Sequence, residues 1–188
     1  TPAFPLQGRP IVKAAGNGNI GVVWPETPGA GDVEELQRFV PAGGTMHIAG
    51  TQREPGLPGA ITLERVLRLA GNPSIEDAAK ELARLDVEAI AYACTSASYV
   101  RGVGGDQDIA DRITAATGLP ATTTSSAMIR ALRHVGVEQV AVLSPHVDQL
   151  NERLERFMAD SGFGVARMKG MNKLGDIDLI TPKTIRDL

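Results

Sequence analysis

The segment Ala93-Cys94-Thr95-Ser96 carries the residue types of this sequence that are best suited to chemistry. Cys94 follows a short apolar run, Glu88–Ala93, that is typical of a buried strand, and small hydroxyl residues come directly after it. Such a strand end exposes backbone N–H groups, which bind anions and lower the pKa of a nearby thiol. We predict that Cys94 is a nucleophile or proton acceptor beside a carboxylate held by Thr95 and Ser96. A cysteine that only fills the core fits the same pattern.

Two further strand ends could contribute groups to the same site. Pro25 follows the apolar run Asn19–Trp24, and His146 follows the run Gln139–Leu143. Because parallel strands end at one edge of a sheet, Pro25, Cys94 and His146 are predicted to lie on one rim. His146 could donate a hydrogen bond to a carboxylate and change its charge near neutral pH. The alternative for His146 is a surface position before a helix.

Other polar or glycine-rich segments are assigned structural roles. Thr122–Ser126 precedes a helical pattern, so Ser125 or Ser126 is predicted to be an N-cap. The stretches Gly16-Asn17-Gly18 and Gly102–Gly105 have neither the dinucleotide nor the phosphate-loop spacing. No spacing of His, Cys, Asp and Glu is typical of a metal site, so no metal is predicted.

Predicted strands alternate with predicted helices along the chain, which is typical of an α/β fold with a mostly parallel sheet. The predicted strands are Asn19–Trp24, Thr45–Ala49, Glu88–Ala93, Gln139–Leu143 and Gly164–Met168. The predicted helices are Asp32–Val40, Ile61–Leu69, Ser74–Leu85, Asp106–Thr117, Ser125–Val135, Val147–Ser161 and Thr181–Leu188.

The composition excludes several classes of protein. The 188 residues are 43% hydrophobic and 22% charged, which is ordinary for a globular chain. A net charge of -3 without a run of Lys or Arg predicts no nucleic-acid partner. One cysteine excludes an internal disulfide, and no apolar stretch approaches the ~20 residues of a membrane span. Since the first residues also lack the features of a signal peptide, we expect a cytoplasmic protein without a membrane partner.

The segment Ala93–Tyr99 resembles the first cysteine motif of the aspartate/glutamate racemase superfamily. Within it, the chain is most similar to the branch of maleate cis–trans isomerases and arylmalonate decarboxylases. The resemblance extends from about residue 17 to residue 188. Further segments agree with that branch in order and spacing: Ile20–Pro25, Ala115–Pro120, Thr123–Ala127, Gly136-Val137 and Asp148–Leu154.

The resemblance implies a fold of two similar α/β lobes with parallel sheets flanked by helices. The lobes are related by a pseudo-twofold axis, and the active site lies in the cleft between them. We expect a first lobe over residues 1–120, which carries Cys94, and the first part of a second lobe over residues 121–188. The family's second cysteine follows a later strand, so the chain is expected to be incomplete at its C-terminus.

The resemblance also implies chemistry without a cofactor on a small carboxylate or dicarboxylate. Cys94 matches the first cysteine, which in maleate isomerases adds to the double bond so that the bond can rotate. Thr95 and Ser96 match residues that bind a substrate carboxylate. We therefore expect an isomerase, and a homo-oligomer is left open. The alternatives are a racemase of the Asp, Glu or hydantoin type, an enzyme similar to arylmalonate decarboxylase, and a non-catalytic ligand-binding protein.

Two positions depart from the family pattern. The loop after the first strand reads Pro25-Glu26-Thr27-Pro28-Gly29, without the usual asparagine. Glu26 would repel a dicarboxylate unless its side chain turned away. His146 occupies the position of a usual tyrosine, which replaces a phenol with a group that titrates near neutral pH. Substrate recognition is therefore expected to differ from that of the family.

Overall fold

Strands and helices alternate along residues 17–26, 30–40 and 42–187, which are the residues that the computed structural model describes. The strands are β1 (Ile20–Trp24), β2 (Met46–Gly50), β3 (Ala89–Tyr92), β4 (Ala121–Thr123), β5 (Gln139–Ser144) and β6 (Gly164–Gly170). The helices are α1 (Ala30–Gln37), α2 (Leu63–Gly71), α3 (Ser74–Leu82), α4 (Thr95–Tyr99), α5 (Gly105–Thr117), α6 (Thr124–His134), α7 (Asp148–Asp160) and α8 (Pro182–Arg186). In these residues no helix is long and apolar enough to cross a membrane.

The strands form two separate parallel sheets. The first has the order β2-β1-β3-β4, and the second pairs β5 with β6. Val23 of β1 lies opposite Tyr92 of β3, and the N–H of Ala93 donates to the carbonyl of Val23 at 2.9 Å. The predicted α/β fold with parallel sheets flanked by helices is confirmed.

The first core lies between the four-stranded sheet and helices α3 and α5. Val23 and Ile90 from the sheet pack with apolar side chains of both helices, and all of these are almost fully buried. Gly21 lets α3 approach β1 closely, since a Cβ atom there would lie 3.3 Å from the Leu82 side chain. Truncating a buried leucine or isoleucine of this core to alanine lowers the free energy of unfolding by about 2–5 kcal/mol.

Helix α4 lies between the first core and a second one. Ala97 and Val100, which follow Cys94 along the chain, pack in the first core. Tyr99 packs instead in the second core, where its ring centroid lies 6.4 Å from that of Phe157 on α7. The short segment after Cys94 therefore contacts both hydrophobic cores.

The region around residue 121 differs from the sequence prediction. Ala121–Thr123 forms β4, which pairs with β3, so the first sheet extends past the predicted lobe boundary at residue 120. The N-cap of α6 is Thr123, whose hydroxyl accepts from the Ser126 N–H at 3.2 Å. The prediction that Ser125 or Ser126 caps this helix is wrong, because the strand ends and the helix begins earlier than the hydroxyl pattern suggested. The division into lobes over 1–120 and 121–188 stays a prediction.

Candidate active site

Cys94 lies between β3 and α4, at the carboxyl edge of the four-stranded sheet. Because β1 and β3 are parallel neighbours with Val23 opposite Tyr92, Pro25 leaves the sheet at the same edge. The structure thus places Pro25 and Cys94 at the same edge of one sheet. The loop residues Thr27, Pro28 and Gly29 lie outside the described residues.

Cys94 as a whole residue is half-buried, and its sulfur lies 3.7 Å from the Ser96 hydroxyl oxygen. Burial raises the pKa of the Cys94 thiol above its ordinary value. Hydrogen bonds from the Ala97 N–H and from Ser96, together with the positive charge of Arg65, act in the opposite direction. The expected lowering of the thiol pKa is therefore wrong for the free chain, since the loss of hydration outweighs the local donors.

Thr95 and Ser96 begin the short helix α4 but face different surroundings. The Thr95 side chain is exposed, whereas Ser96 is buried with its hydroxyl toward the sulfur. As the first residues of a helix, both have N–H groups without a partner inside that helix. Cys94, Thr95 and Ser96 therefore form one continuous arrangement of a thiol, a hydroxyl and helix-start N–H groups, of which the Ser96 N–H points to the thiol.

A buried pair of serines holds this turn in place. The Ser98 hydroxyl oxygen lies 2.9 Å from the carbonyl oxygens of both Cys94 and Thr95, and 2.7 Å from the Ser125 hydroxyl. The Ser125 N–H donates to Ser98 at 3.2 Å, and the Ser125 hydroxyl donates to the Thr95 carbonyl at 3.1 Å. These bonds fasten α4 to α6. Sequence analysis missed this pair, because no local pattern relates serines 27 residues apart.

Glu26 is neutralised by two arginines beside this edge. Its carboxylate accepts from Arg53 at 3.0 Å through one oxygen and from Arg65 at 2.6 Å through the other. The Glu26 backbone has φ 63°, and its N–H donates to the Thr51 hydroxyl at 3.0 Å. Gly50 permits this conformation, since a Cβ atom there would lie 2.2 Å from the Glu26 carbonyl oxygen. The expected repulsion of a dicarboxylate is thus offset by paired positive charge.

His146 lies at the end of a different sheet from Cys94. It follows β5, so the prediction that both lie on the rim of one sheet is wrong. Helix α7 nevertheless contacts α4, and Val147 packs against the same core as Cys94. The His146 N–H donates to the Ser144 hydroxyl at 3.2 Å, while the ring atom Nδ1 is buried without a hydrogen-bond partner. Burial lowers the pKa of His146, so its ring is neutral at neutral pH.

Metal-ligating side chains do not cluster in the part of the chain that the structure describes. Within 17–26, 30–40 and 42–187, no group of three or more His, Cys, Asp and Glu side chains could hold a metal ion.

Two characterised enzymes are similar to this chain in sequence. Arylmalonate decarboxylase of Bordetella bronchiseptica is 32% identical over 128 residues, which are 64% of this chain and 52% of that enzyme. Maleate isomerase of Pseudomonas putida is 27% identical over 92 residues, which are 46% of this chain and 37% of that enzyme. The matched region thus spans about half the length of the first relative and a smaller share of the second.

The fold is shared with a solved arylmalonate decarboxylase. A liganded double mutant of that enzyme is 26% identical, with a TM-score of 0.75, over 90% of this chain and 69% of the other. The family model described as arylmalonate decarboxylase matches residues 71–188, which include Cys94, the serine pair and His146. This match covers more than half of the sequence, and the chain therefore belongs to the arylmalonate decarboxylase family.

Proposed function

We propose that this chain is a cofactor-independent enzyme that isomerises a small unsaturated carboxylate through Cys94. The observation that carries the proposal is the Cys94 sulfur 3.7 Å from the Ser96 hydroxyl, at a strand end followed by the start of helix α4. Similarity to a maleate isomerase and to an arylmalonate decarboxylase supports chemistry on a small carboxylate.

In the proposed complex, the substrate carboxylate accepts hydrogen bonds from Thr95 and Ser96. Their N–H groups have no partner within α4, so a carboxylate there replaces water without displacing a helix bond. Pro25, which follows the neighbouring strand β1, would provide an apolar wall beside the thiol. His146 is neutral at neutral pH and would contribute a hydrogen bond rather than a positive charge.

The proposed reaction begins when the Cys94 thiol gives its proton to water and the resulting thiolate forms a bond to one carbon of the double bond. The π electron pair moves onto the neighbouring carbon and its carboxylate, which becomes an enediolate. The remaining single bond rotates, the electron pair re-forms the double bond, and the carbon–sulfur bond breaks to return the thiolate. No proton is gained or lost by the substrate over the cycle, and N–H donors that stabilise the enediolate lower the barrier.

The test is to incubate the chain with maleate and to follow fumarate formation by proton NMR. We expect turnover in the wild type and none in Cys94→Ser, because a serine hydroxyl is a far weaker nucleophile at neutral pH. Thr114→Ala, on the exposed side of α5, is the control and should retain full activity. Binding of maleate without turnover would instead identify a ligand-binding protein.

A second function, decarboxylation, is favoured by the raised pKa of the Cys94 thiol. A thiol that is protonated at rest can act as a proton donor. In that reaction the bond to one carboxylate of a malonate breaks, carbon dioxide leaves, and the electron pair stays behind as an enediolate. The Cys94 S–H then gives its proton to carbon, and water reprotonates the thiolate. Phenylmalonate in deuterated water distinguishes the two functions, since decarboxylation releases carbon dioxide and places deuterium on carbon.

A further inference from the structure

The proposed reactions do not use the ion-paired group of Glu26, Arg53 and Arg65. It contains two guanidinium groups on one carboxylate, and it therefore carries one net positive charge. It lies where β1 ends, next to β3 and Cys94, and Arg65 belongs to the first turn of α2. Helix α2 itself contacts α4. A partly desolvated positive charge thus lies beside the proposed site.

The two arginines differ in how firmly they are held. The Arg65 side chain is 12% exposed, and its second guanidinium nitrogen donates to the Pro58 carbonyl. The Arg53 side chain is 52% exposed and faces water. Glu26 divides its carboxylate oxygens between them, one to each arginine. Glu26 can therefore release Arg65 and still keep one ion pair.

We propose that Arg65 determines specificity by binding the carboxylate of a dicarboxylate substrate that lies farther from Cys94; this rests on the proposed function at Cys94. In the chain without substrate, the Glu26 carboxylate pairs with the Arg65 guanidinium. On binding, the distal carboxylate takes the place of one Glu26 oxygen, and Glu26 stays paired with Arg53. One charge-assisted hydrogen bond replaces another, so the exchange leaves no buried charge unpaired.

Two observations support a functional rather than a purely structural ion pair. Glu26 adopts a left-handed backbone conformation, φ 63°, which is rare for residues other than glycine and concentrates at functional sites. The charge of Arg65 also reaches Cys94, where it opposes the effect of burial on the thiol pKa. Arg68, one turn further along α2, pairs with Glu54 instead and serves as a matched control.

The test compares maleate with isocrotonate, in which a methyl group replaces the second carboxylate. Each is measured by its protection of Cys94 against iodoacetamide, and the label count is unambiguous because the chain has one cysteine. We expect maleate to protect wild type at the lower concentration. In the double variant Glu26→Gln/Arg65→Gln, the maleate concentration that half-protects Cys94 should rise roughly tenfold to a hundredfold. The isocrotonate concentration that half-protects Cys94 should stay unchanged. Glu54→Gln/Arg68→Gln should behave as wild type.

The single variant Glu26→Gln gives a result that misfolding cannot imitate. It removes the competing carboxylate and leaves both arginines, so maleate should protect Cys94 at a lower concentration than in wild type. A maleate preference that survives in the Glu26→Gln/Arg65→Gln variant overturns the role of Arg65, as does equal protection by both compounds in wild type. Protection by neither compound overturns this role together with the proposed function. If the preference for maleate over isocrotonate depends on Arg65 but maleate is not turned over, the role of Arg65 in binding stands. That result overturns only the proposed isomerase activity.

Discussion

The two regions that flank α4 differ in whether their buried polar groups have hydrogen-bond partners. At the edge of the four-stranded sheet, the hydroxyls of Ser98 and Ser125 bond to each other, and the Ser98 hydroxyl also lies within hydrogen-bond distance of the Cys94 carbonyl. The Glu26 carboxylate at the same edge has a guanidinium on each oxygen. Polar groups of this edge are therefore paired with partners from other elements.

The region around α7 leaves polar atoms unsatisfied. Three buried side-chain atoms lack a hydrogen-bond partner in the described residues, namely the Tyr99 hydroxyl, His146 Nδ1 and Asn151 Oδ1. Asn151 lies on α7, His146 lies just before it, and Tyr99 packs against Phe157 of the same helix. Each such group costs about 1–3 kcal/mol. In the described residues, the polar groups at the Cys94 edge are therefore paired by this chain, whereas three buried atoms near α7 are not.

The largest expected effect comes from removing the hydroxyl beside the thiol. Ser96→Ala removes the hydroxyl that lies 3.7 Å from the Cys94 sulfur. If this group stabilises charge mainly in the transition state, kcat should fall about a hundredfold to a thousandfold. Steady-state kinetics with maleate, and with phenylmalonate, measures the change. An unchanged kcat in both assays would exclude Ser96 from the reaction.

The next effect concerns the serine pair that fastens α4 to α6. Ser125→Ala leaves Ser98 and the Thr95 carbonyl with one partner fewer in a buried setting. The free energy of unfolding should fall by about 1–3 kcal/mol, as measured by urea denaturation. Ser161→Ala, at the half-buried end of α7, should change it by much less. Equal decreases in the free energy of unfolding of both variants would show that the serine pair does not stabilise the fold more than Ser161 does.

A smaller effect appears in the pH dependence of Cys94 alkylation. Because burial raises the pKa of this thiol, the empty chain should react with iodoacetamide more slowly than a free thiol at neutral pH. The rate should then rise with pH through a midpoint above that of a free thiol. In Arg65→Gln the midpoint should move further up, since a charge that favours the thiolate is gone. A midpoint below that of a free thiol would restore the activated thiolate of the sequence prediction.

The smallest expected effect is at His146. Its pKa is lowered by burial in the folded chain, so between that pKa and the ordinary value the unfolded chain binds more protons. The free energy of unfolding therefore carries no penalty from His146 above the ordinary histidine pKa of about 6.5. It decreases as the pH falls below that value, because the buried ring resists protonation. Urea denaturation between pH 8 and pH 5 should show less acid destabilisation in His146→Gln than in wild type. His134→Gln, at the exposed end of α6, is the control; identical profiles for wild type and His146→Gln would show that burial of His146 carries no penalty.

Local patterns of the sequence determined the alternation of strands and helices and the position of Cys94 at a strand end. The runs Asn19–Trp24 and Glu88–Ala93 lie within one residue of β1 and β3 at each end. Thr181 caps α8 with Pro182 at the first position, as helix-start preferences predict. Such features depend on neighbours along the chain, which is why composition and spacing suffice to predict them. The short strand β4 was missed, because three residues carry too little periodicity.

Tertiary structure alone decided which of these elements share a sheet and which polar groups meet. His146 and Cys94 both follow parallel strands, yet strand pairing put them in different sheets. Glu26 meets Arg65 from 39 positions away, which turns an expected repulsion into a paired charge. The thiol pKa rises because desolvation depends on the packing of distant segments around Cys94, and no local pattern encodes that packing.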